Sequence, residues 1–241
     1  MAYSRKVQRE LLFKGGWKYL RYLHLHDALE RCKHEVASVG VVGAGRGMAE
    51  VALALENPDI EFTITDARFE HYPIYDQAME YAWKLSADNV RFGVWNILEP
   101  THRRFDLICS TEVLEHIPQD REAVARMYDA AEKYVYCIVP FATPESRADE
   151  ALCASTLERF GHIVPGYDIG TLRALFPGEV HLAGTYFDDA GTVLRQKLGE
   201  MSVPEIDQQL DALIDLARLD IRDELPTTEA RSQGIKILSR V

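Results

Sequence analysis

A glycine-rich turn is the feature of this sequence that most clearly suits ligand chemistry. Residues 39–50 read VGVVGAGRGMAE, so Gly43, Gly45 and Gly47 follow a short apolar run and precede a predicted helix. Glycine permits tight turns and a close approach of ligand to backbone, and the N-terminus of a helix presents free N–H groups. The pattern predicts a ligand cradle. The alternative is that the glycines merely close a turn between a strand and a helix.

An acidic residue supports the first interpretation. Asp66 ends a second apolar run, about twenty residues past the turn, where a carboxylate accepts hydrogen bonds from ribose hydroxyls in dinucleotide-binding folds. Capping of a helix is its alternative role. The order strand, glycine turn, helix, strand and acid therefore predicts binding of a ribose-containing ligand.

On these residues, the segment 39–139 resembles the class I S-adenosylmethionine-dependent methyltransferases of the small-molecule type. The resemblance implies that S-adenosylmethionine is the cofactor and S-adenosylhomocysteine the product. It also implies that the glycine turn holds the amino-acid end of the cofactor and that Asp66 binds its ribose. One position departs from the family pattern, because Val41 stands where the family usually has an acid.

Two more segments carry the resemblance. Residues 91–98, RFGVWNIL, match the family's third strand, which implies that Asn96 meets the adenine amino group and that Trp95 covers the purine; a turn role and core packing are the alternatives. Residues 105–117, FDLICSTEVLEHI, match the fourth strand and its following loop, whose residues skirt the cofactor. The implied cofactor-binding set is Gly43, Ala44, Gly45, Gly47, Asp66, Ala67, Trp95, Asn96, Ile97, Ser110, Thr111 and Glu112.

Two histidines are the catalytic candidates. Methyl transfer from a sulfonium is an in-line displacement that mainly requires alignment of the acceptor and exclusion of water. A hydroxyl or ammonium acceptor benefits from a base near its proton, and an imidazole suits that work. We therefore assign this role to His116 and His162, with a scaffold hydrogen bond as the alternative for His116. The chemistry needs no metal, and the four cysteines lack a C-x-x-C spacing or a partnering histidine cluster, so no metal site is predicted.

The acceptor pocket is expected beyond the fifth strand. Residues 141–169 mix Pro, Gly, His and aromatic residues, which indicates substrate-facing structure. The substrate-binding candidates are Phe141, His162, Tyr167 and Tyr19, since such a pocket needs apolar walls with few polar groups. Their alternative is ordinary packing, because aromatic residues at helical spacing are more often part of a core.

The elements that position these residues alternate between strand and helix, which predicts βαβ units and a parallel sheet. The expected fold is a Rossmann-like α/β sheet of seven strands, mostly parallel, with helices on both faces and an antiparallel last strand. The predicted strands are 37–42, 61–65, 90–94, 105–110, 134–140, 180–187 and 234–241.

The chain divides in this interpretation into an N-terminal helical segment, residues 1–36, and a methyltransferase domain, residues 37–241. The first is either a lid over the site or part of the core. The domain carries a helical insert, residues 191–231, between its last two strands. The insert's apolar stripe packs on the sheet, closes the acceptor site or pairs with a second copy.

Composition limits the partners. The net charge is −11, which disfavours a nucleic-acid substrate because phosphate contacts need a clustered excess of Lys and Arg. No apolar run suits a membrane span or signal peptide, so we expect a cytoplasmic monomer or homodimer acting on a small molecule. The alternatives are a non-catalytic S-adenosylmethionine-binding or regulatory protein, a nicotinamide-dependent oxidoreductase, and a methyltransferase acting on nucleic acid or protein.

Overall fold

The computed structural model describes residue 9 and the ranges 11–12, 16–67, 75–186, 189–219, 221–222 and 234–241. Parts of three predictions lie outside these residues, namely most of the opening segment before residue 16, the end of the strand predicted to residue 187, and residues 223–231 of the insert.

One mixed sheet organises the described residues. Its order is β3-β2-β1-β4-β5-β8-β6-β7. The first five strands are mutually parallel, β8 runs antiparallel to both of its neighbours, and the short β7 is antiparallel to β6 at the edge. The predicted seven-stranded, mostly parallel sheet with an antiparallel last strand is confirmed, and β7 is a two-residue addition. The strands are β1 Ser38–Val42, β2 Glu61–Asp66, β3 Val90–Val94, β4 Phe105–Thr111, β5 Ala131–Pro140, β6 Glu179–Tyr186, β7 Ile221–Arg222 and β8 Gly234–Arg240.

Helices cover both faces of the sheet, as predicted, and each face has its own apolar core. They are α1 Gly16–Cys32, α2 Met48–Glu56, α3 Tyr75–Lys84, α4 Asp120–Ala130, α5 Pro144–Ala148, α6 Glu150–Phe160, α7 Ile169–Leu175, α8 Asp189–Glu200 and α9 Val203–Arg218, with a 3₁₀ turn at Leu114–His116. Helix α2 is buried along most of its length because it lies in the core that α1 and the sheet share, which explains why its sequence, MAEVALALE, is apolar almost all round.

Two helices lie in the segment 141–169, for which no secondary structure is predicted from the sequence. They are α5 and α6, and the expectation that this segment faces the substrate stays a prediction. The start signals are readable in the sequence, since Thr143 caps α5 with Pro144 at its first position and Asp149 caps α6. The stop signal is Gly161, which follows α6 with a φ of 74°. The start of α5, the start of α6 and the end of α6 lie close together in a segment of mixed composition, which made them hard to predict from the sequence.

The N-terminal helix and the insert belong to one core. Leu20 and Leu23 of α1 are buried in the same cluster as Leu210 and Leu213 of α9. The apolar stripe of the insert therefore packs inside the protein, with its described part forming α8 and α9 before β7. The division at residue 36 and the lid role of residues 1–36 stay predictions.

None of the helices in the described ranges is both long enough and apolar enough to cross a membrane.

Candidate functional site

The parallel register brings the carboxyl ends of the central strands together. Val42 at the end of β1 lies opposite Ser110 of β4, and Thr111 lies opposite Ile138 of β5. In open α/β sheets, ligands bind outside this edge, at the point where the strand order reverses. That point lies here between β1 and β4, and the loops that follow these two strands form the candidate site.

The glycine turn after β1 has the backbone geometry that its sequence predicts. Gly43 and Gly45 have φ values of 66° and 56°, in the left-handed region that side chains disfavour. A Cβ at Gly43 would overlap Val113 in the loop after β4, so this glycine lets the two loops approach. A Cβ at Gly45 would meet no atom within 4 Å. The turn is therefore tight on one side and open on the other. Ala44 is buried beside it, and Gly47 precedes the first turn of α2.

Asp66 lies directly against this turn. Its Oδ2 atom accepts a hydrogen bond from the Gly45 N–H at 3.0 Å, while the Ala44 N–H donates to the Thr65 carbonyl oxygen at 3.0 Å. The Asp66 side chain is partly exposed, and Ala67, the next residue, is exposed. The acid at the end of β2 and the glycines after β1 thus form one polar surface at the sheet edge.

A buried ion pair lies next to the glycine turn. It was not predicted from the sequence. Glu50 in the first turn of α2 is 1% exposed and pairs with the Arg21 guanidinium of α1 at 2.8 Å. The same guanidinium lies 3.5 Å from the Gly43 carbonyl oxygen. Val41, which replaces the family's usual acid, is buried in the core. The charged groups under the turn therefore come from α1 and α2. An acid within a nearly uniform apolar helix was the available signal.

The segment after β3 borders a cleft next to Asp66. Ala67, Trp95 and Asn96 line this cleft together with Thr65 and Gly93. The Trp95 indole N–H donates to the Glu99 carbonyl oxygen at 3.1 Å, and Asn96 Oδ1 accepts the Leu98 N–H at 3.2 Å. Asn96 thus makes the turn contact named as its alternative role.

Ile97 is buried in the second core, so only its backbone is suited to meet a ligand.

Two polar side chains at the end of β4 are buried. The Ser110 and Thr111 side chains are buried, and neither hydroxyl oxygen has a hydrogen-bond partner among the described residues. Glu112 follows with a φ of 56°, unusual for a residue with a side chain, and its N–H donates to the Ile138 carbonyl oxygen at 2.9 Å. This left-handed residue lies directly after β4 and begins the loop that leads into the 3₁₀ turn at Leu114–His116.

The two predicted catalytic histidines come together beside a buried acid. The rings of His116 and His162 meet edge to face with centroids 5.0 Å apart. His116 Nδ1 lies 3.0 Å from the Gly161 carbonyl oxygen, and the N–H groups of Ile163 and Val164 donate to the Glu115 carbonyl oxygen at 2.8 and 3.0 Å. These bonds tie the loop after α6 to the 3₁₀ turn.

Burial sets the protonation behaviour of this group. Glu115 is fully buried, and burial, followed by the charge of Glu112, raises the pKa of its carboxyl well above the ordinary value. Burial also lowers the pKa of His162, as does the nearby His116. The sequence predicted both histidines as proton-handling groups, and the resemblance placed Glu115 and His116 facing the transferred methyl group, but nothing in the sequence indicated that Glu115 is buried.

The other two candidates after the fifth strand, Phe141 and Tyr167, are partly or fully buried. Phe141 is partly buried and forms an isolated bridge with Tyr167. The Tyr167 side chain is buried, and its hydroxyl lies 3.1 Å from Asp120 Oδ2 and 3.3 Å from the Leu114 carbonyl oxygen. Tyr167 therefore holds the loop, the 3₁₀ turn and α4 together.

Tyr19 is part of the core. Its side chain is fully buried, and its ring lies 5.7 Å from that of Tyr22. Burial raises the pKa of its hydroxyl. Because Tyr19 belongs to the core cluster of α1 and α9 and not to the cluster that contains Tyr167, we leave Tyr19 out of the acceptor site proposed below.

Comparison with solved structures gives the fold a clear set of relatives. A Galdieria sulphuraria protein described as a sarcosine dimethylglycine methyltransferase matches with a TM-score of 0.59 and 14% identity, over 93% of this chain and 84% of the other. Coclaurine N-methyltransferase, solved with N-methylheliamine and S-adenosylhomocysteine, matches with a TM-score of 0.62 and 13% identity, over 90% and 70% of the two chains.

A third relative has another activity. SpnF, a cyclase, matches with a TM-score of 0.58 and 13% identity, over 93% of this chain and 82% of its own. No family model matches the sequence, and no curated protein does. Because these identities are low, the likeness concerns the fold, which does not by itself determine the reaction. The chain thus has the Rossmann-like fold found in class I methyltransferases.

Proposed function

We propose that this protein transfers a methyl group from S-adenosylmethionine to a small-molecule acceptor, with O- or N-methylation of a specialised metabolite as the reaction. The observation that carries the proposal is the contact between Asp66 Oδ2 and the Gly45 N–H, on the open side of the glycine turn. A carboxylate and a bare backbone on one polar surface suit a ligand that has both ribose hydroxyls and an amino-acid group.

The parts of the cofactor have candidate partners along the sheet edge. The glycine turn and the Arg21 guanidinium below it suit the amino-acid end, since its carboxylate favours N–H donors and positive charge. Asp66 suits the ribose. The cleft at Ala67, Trp95 and Asn96 suits the adenine, and Ile97, which follows them, can offer only its backbone. Ser110, Thr111 and Glu112 border the same edge at the end of β4, and the Ser110 and Thr111 hydroxyls have no hydrogen-bond partner among the described residues.

The acceptor end lies beyond Glu112. His116 and His162 are the groups there that can act on an acceptor's proton, directly or through a bound ion, and Phe141 supplies apolar surface nearby. The hydrogen bonds between the loop after α6 and the 3₁₀ turn keep the two rings together. A fixed pair of imidazoles supports methylation of a hydroxyl or an amine, because those acceptors must lose a proton.

The charge of the chain supports a small acceptor. A net charge of −11 weakens binding to a nucleic-acid backbone. We further propose that the protein acts in the cytoplasm as a monomer or homodimer. A single chain supports this site, because every group assigned above lies in one chain, at the sheet edge, in α1 or in the loop after α6.

The experiment that tests the reaction follows a labelled methyl group. The protein is incubated with methyl-labelled S-adenosylmethionine and a cell extract separated into low-mass, protein and nucleic-acid fractions. The proposal predicts label in the low-mass fraction and release of S-adenosylhomocysteine. Label in a macromolecular fraction would contradict the acceptor class. Cofactor binding without transfer to any fraction would favour a non-catalytic binding protein.

A further inference from the structure

The side chains of Glu115, His116 and His162 form a cluster whose potential ligand atoms all lie within 4.8 Å of one another. His116 Nε2 and Glu115 Oε1 are 3.8 Å apart. Two imidazole nitrogens and one carboxylate oxygen are the donor set of many catalytic zinc and non-haem iron sites. Ligand atoms around such ions lie about 3 Å apart, so modest side-chain rotations would bring the three onto one ion.

Glu115 is the least satisfied member of this cluster. Its side chain is 0% exposed, and neither carboxylate oxygen has a hydrogen-bond partner within the described ranges. Burial of an ionised carboxylate without a partner costs several kcal/mol, which is why burial raises the pKa of Glu115, and a buried carboxyl group without a partner calls for an explanation. A cation at the place where the two histidines meet the carboxylate supplies the missing partner.

The hydrogen bond of His116 sets the right tautomer for a ligand. Its Nδ1 lies 3.0 Å from the Gly161 carbonyl oxygen, which can only accept, so Nδ1 carries the proton and Nε2 keeps its lone pair. Histidines that bind metals are usually oriented in this way by a carbonyl or carboxylate on the other nitrogen. Gly161 itself follows α6 with a φ of 74°, which places its carbonyl group at the 3₁₀ turn.

From these contacts we infer that Glu115, His116 and His162 bind one divalent first-row transition ion, in the range from Mn²⁺ to Zn²⁺. This differs from the sequence-based expectation of no metal. Three protein ligands leave at least one coordination position open, as in catalytic rather than structural sites. His116 is 41% exposed on its side chain, so the cluster is reached from solvent.

The role of the ion follows from its place and rests on the proposed function. Val113, two residues before Glu115, packs against Gly43 in the glycine turn, so the cluster lies beside the proposed cofactor site. An acceptor hydroxyl bound to the ion loses its proton to water more readily. The oxygen then attacks the methyl carbon, the O–C bond forms as the C–S bond breaks, and the electron pair passes to sulfur. The acceptor class is therefore an alcohol or phenol, with the histidines as ligands.

Equilibrium dialysis of the metal-stripped protein against Mn²⁺, Co²⁺ and Zn²⁺ separately, followed by metal analysis, tests the site without cofactor or acceptor. The expected result is one ion per chain for at least one of these metals. Glu115→Gln and His162→Ala should each weaken binding by more than about 10-fold. His102→Ala, which removes an exposed histidine elsewhere, should retain it. Circular dichroism shows whether each variant is folded, and the near-isosteric Glu115→Gln guards against misfolding.

Visible absorption of the Co²⁺ form provides a second readout, because nitrogen ligation changes the d–d bands and loss of one imidazole shifts them. Absence of stoichiometric binding by all three metals would overturn the inference, as would equal binding by wild type, Glu115→Gln and His162→Ala. Failure of S-adenosylmethionine to bind would contradict the proposed function while leaving the metal stoichiometry intact, so the two outcomes are distinct.

Discussion

Asp66 Oδ2 accepts the Gly45 N–H at 3.0 Å, and this bond joins the end of β2 to the glycine turn that follows β1. The two residues come from neighbouring parallel strands, whose register brings Val41 opposite Ile64. An acid held against a glycine turn limits where a ligand's ribose and amino-acid group can lie.

Replacement of Asp66 should weaken the binding of the cofactor. We expect Asp66→Ala to cost about 1–3 kcal/mol of binding free energy for S-adenosylmethionine, the range for a hydrogen bond to a charged group. Titration calorimetry measures the change, and Asp59→Ala, at an exposed aspartate before β2, is the matched control. A folded Asp66→Ala protein with unchanged affinity would refute the ribose assignment.

Substitution of Gly45 should be unfavourable because of its positive φ and not because of steric overlap with neighbouring atoms. Gly45→Ala puts a side chain at a φ of 56°, which costs about 1–2 kcal/mol, and it fills the open side of the turn. Both stability and cofactor affinity should fall. Gly199 also has open space around it but lies in helix α8, so Gly199→Ala should be neutral or stabilise by up to about 1 kcal/mol. Urea unfolding of both variants would show equal effects if the turn geometry were unimportant.

The Arg21–Glu50 pair should matter for the fold under the site. Arg21→Met leaves the buried Glu50 carboxylate without this cation, and loss of one partner of a buried pair costs about 3–5 kcal/mol. The double variant Arg21→Met/Glu50→Gln should recover part of that loss. Lys84→Met, which removes an exposed pair with Glu80, should change stability by less than about 1 kcal/mol. Urea denaturation checks all three, and an Arg21→Met protein as stable as Lys84→Met would contradict the buried pair.

Stability should fall in mild acid because of His24. This histidine is buried in α1, and burial, together with the charge of Lys236, lowers its pKa from 6.5 to about 3. In that interval the unfolded chain binds a proton that the folded chain does not, so stability falls as the pH drops below 6.5. The loss from this residue is about 2 kcal/mol at pH 5 relative to pH 7.

The variant His24→Gln should lack that component, so its urea-unfolding free energy should change less between pH 7 and pH 5 than that of the wild type. His34→Gln, at an exposed position, controls for removal of a histidine. Identical slopes for His24→Gln and wild type would show that His24 does not cause the effect.

The central sheet could be predicted from the sequence because its signals are local. Short apolar runs ending at Val42 and Asp66, with glycines directly after the first, define two parallel strands and their loop. Gly43 and Gly45 adopt the positive φ values that such a turn demands. The same locality explains why His116 and His162 were found as candidates, since each lies next to a strand or turn that the pattern marks.

Long-range pairing could not be predicted in the same way. Nothing near Arg21 in the sequence indicates that it meets Glu50, because that contact depends on how α1 packs on α2. The burial of Tyr19 and Tyr167 could not be predicted, because an aromatic side chain has the same sequence signature in a core and in a cleft. Glu115 has no local feature that reveals its complete burial.

Calorimetric binding of S-adenosylmethionine, S-adenosylhomocysteine and NAD to the purified protein would identify the class of cofactor. We expect the two adenosyl compounds to bind with micromolar affinity, corresponding to about 8 kcal/mol, and NAD not to bind. Binding of NAD alone would contradict the proposed function, as would the absence of detectable binding by both adenosyl compounds to a demonstrably folded protein.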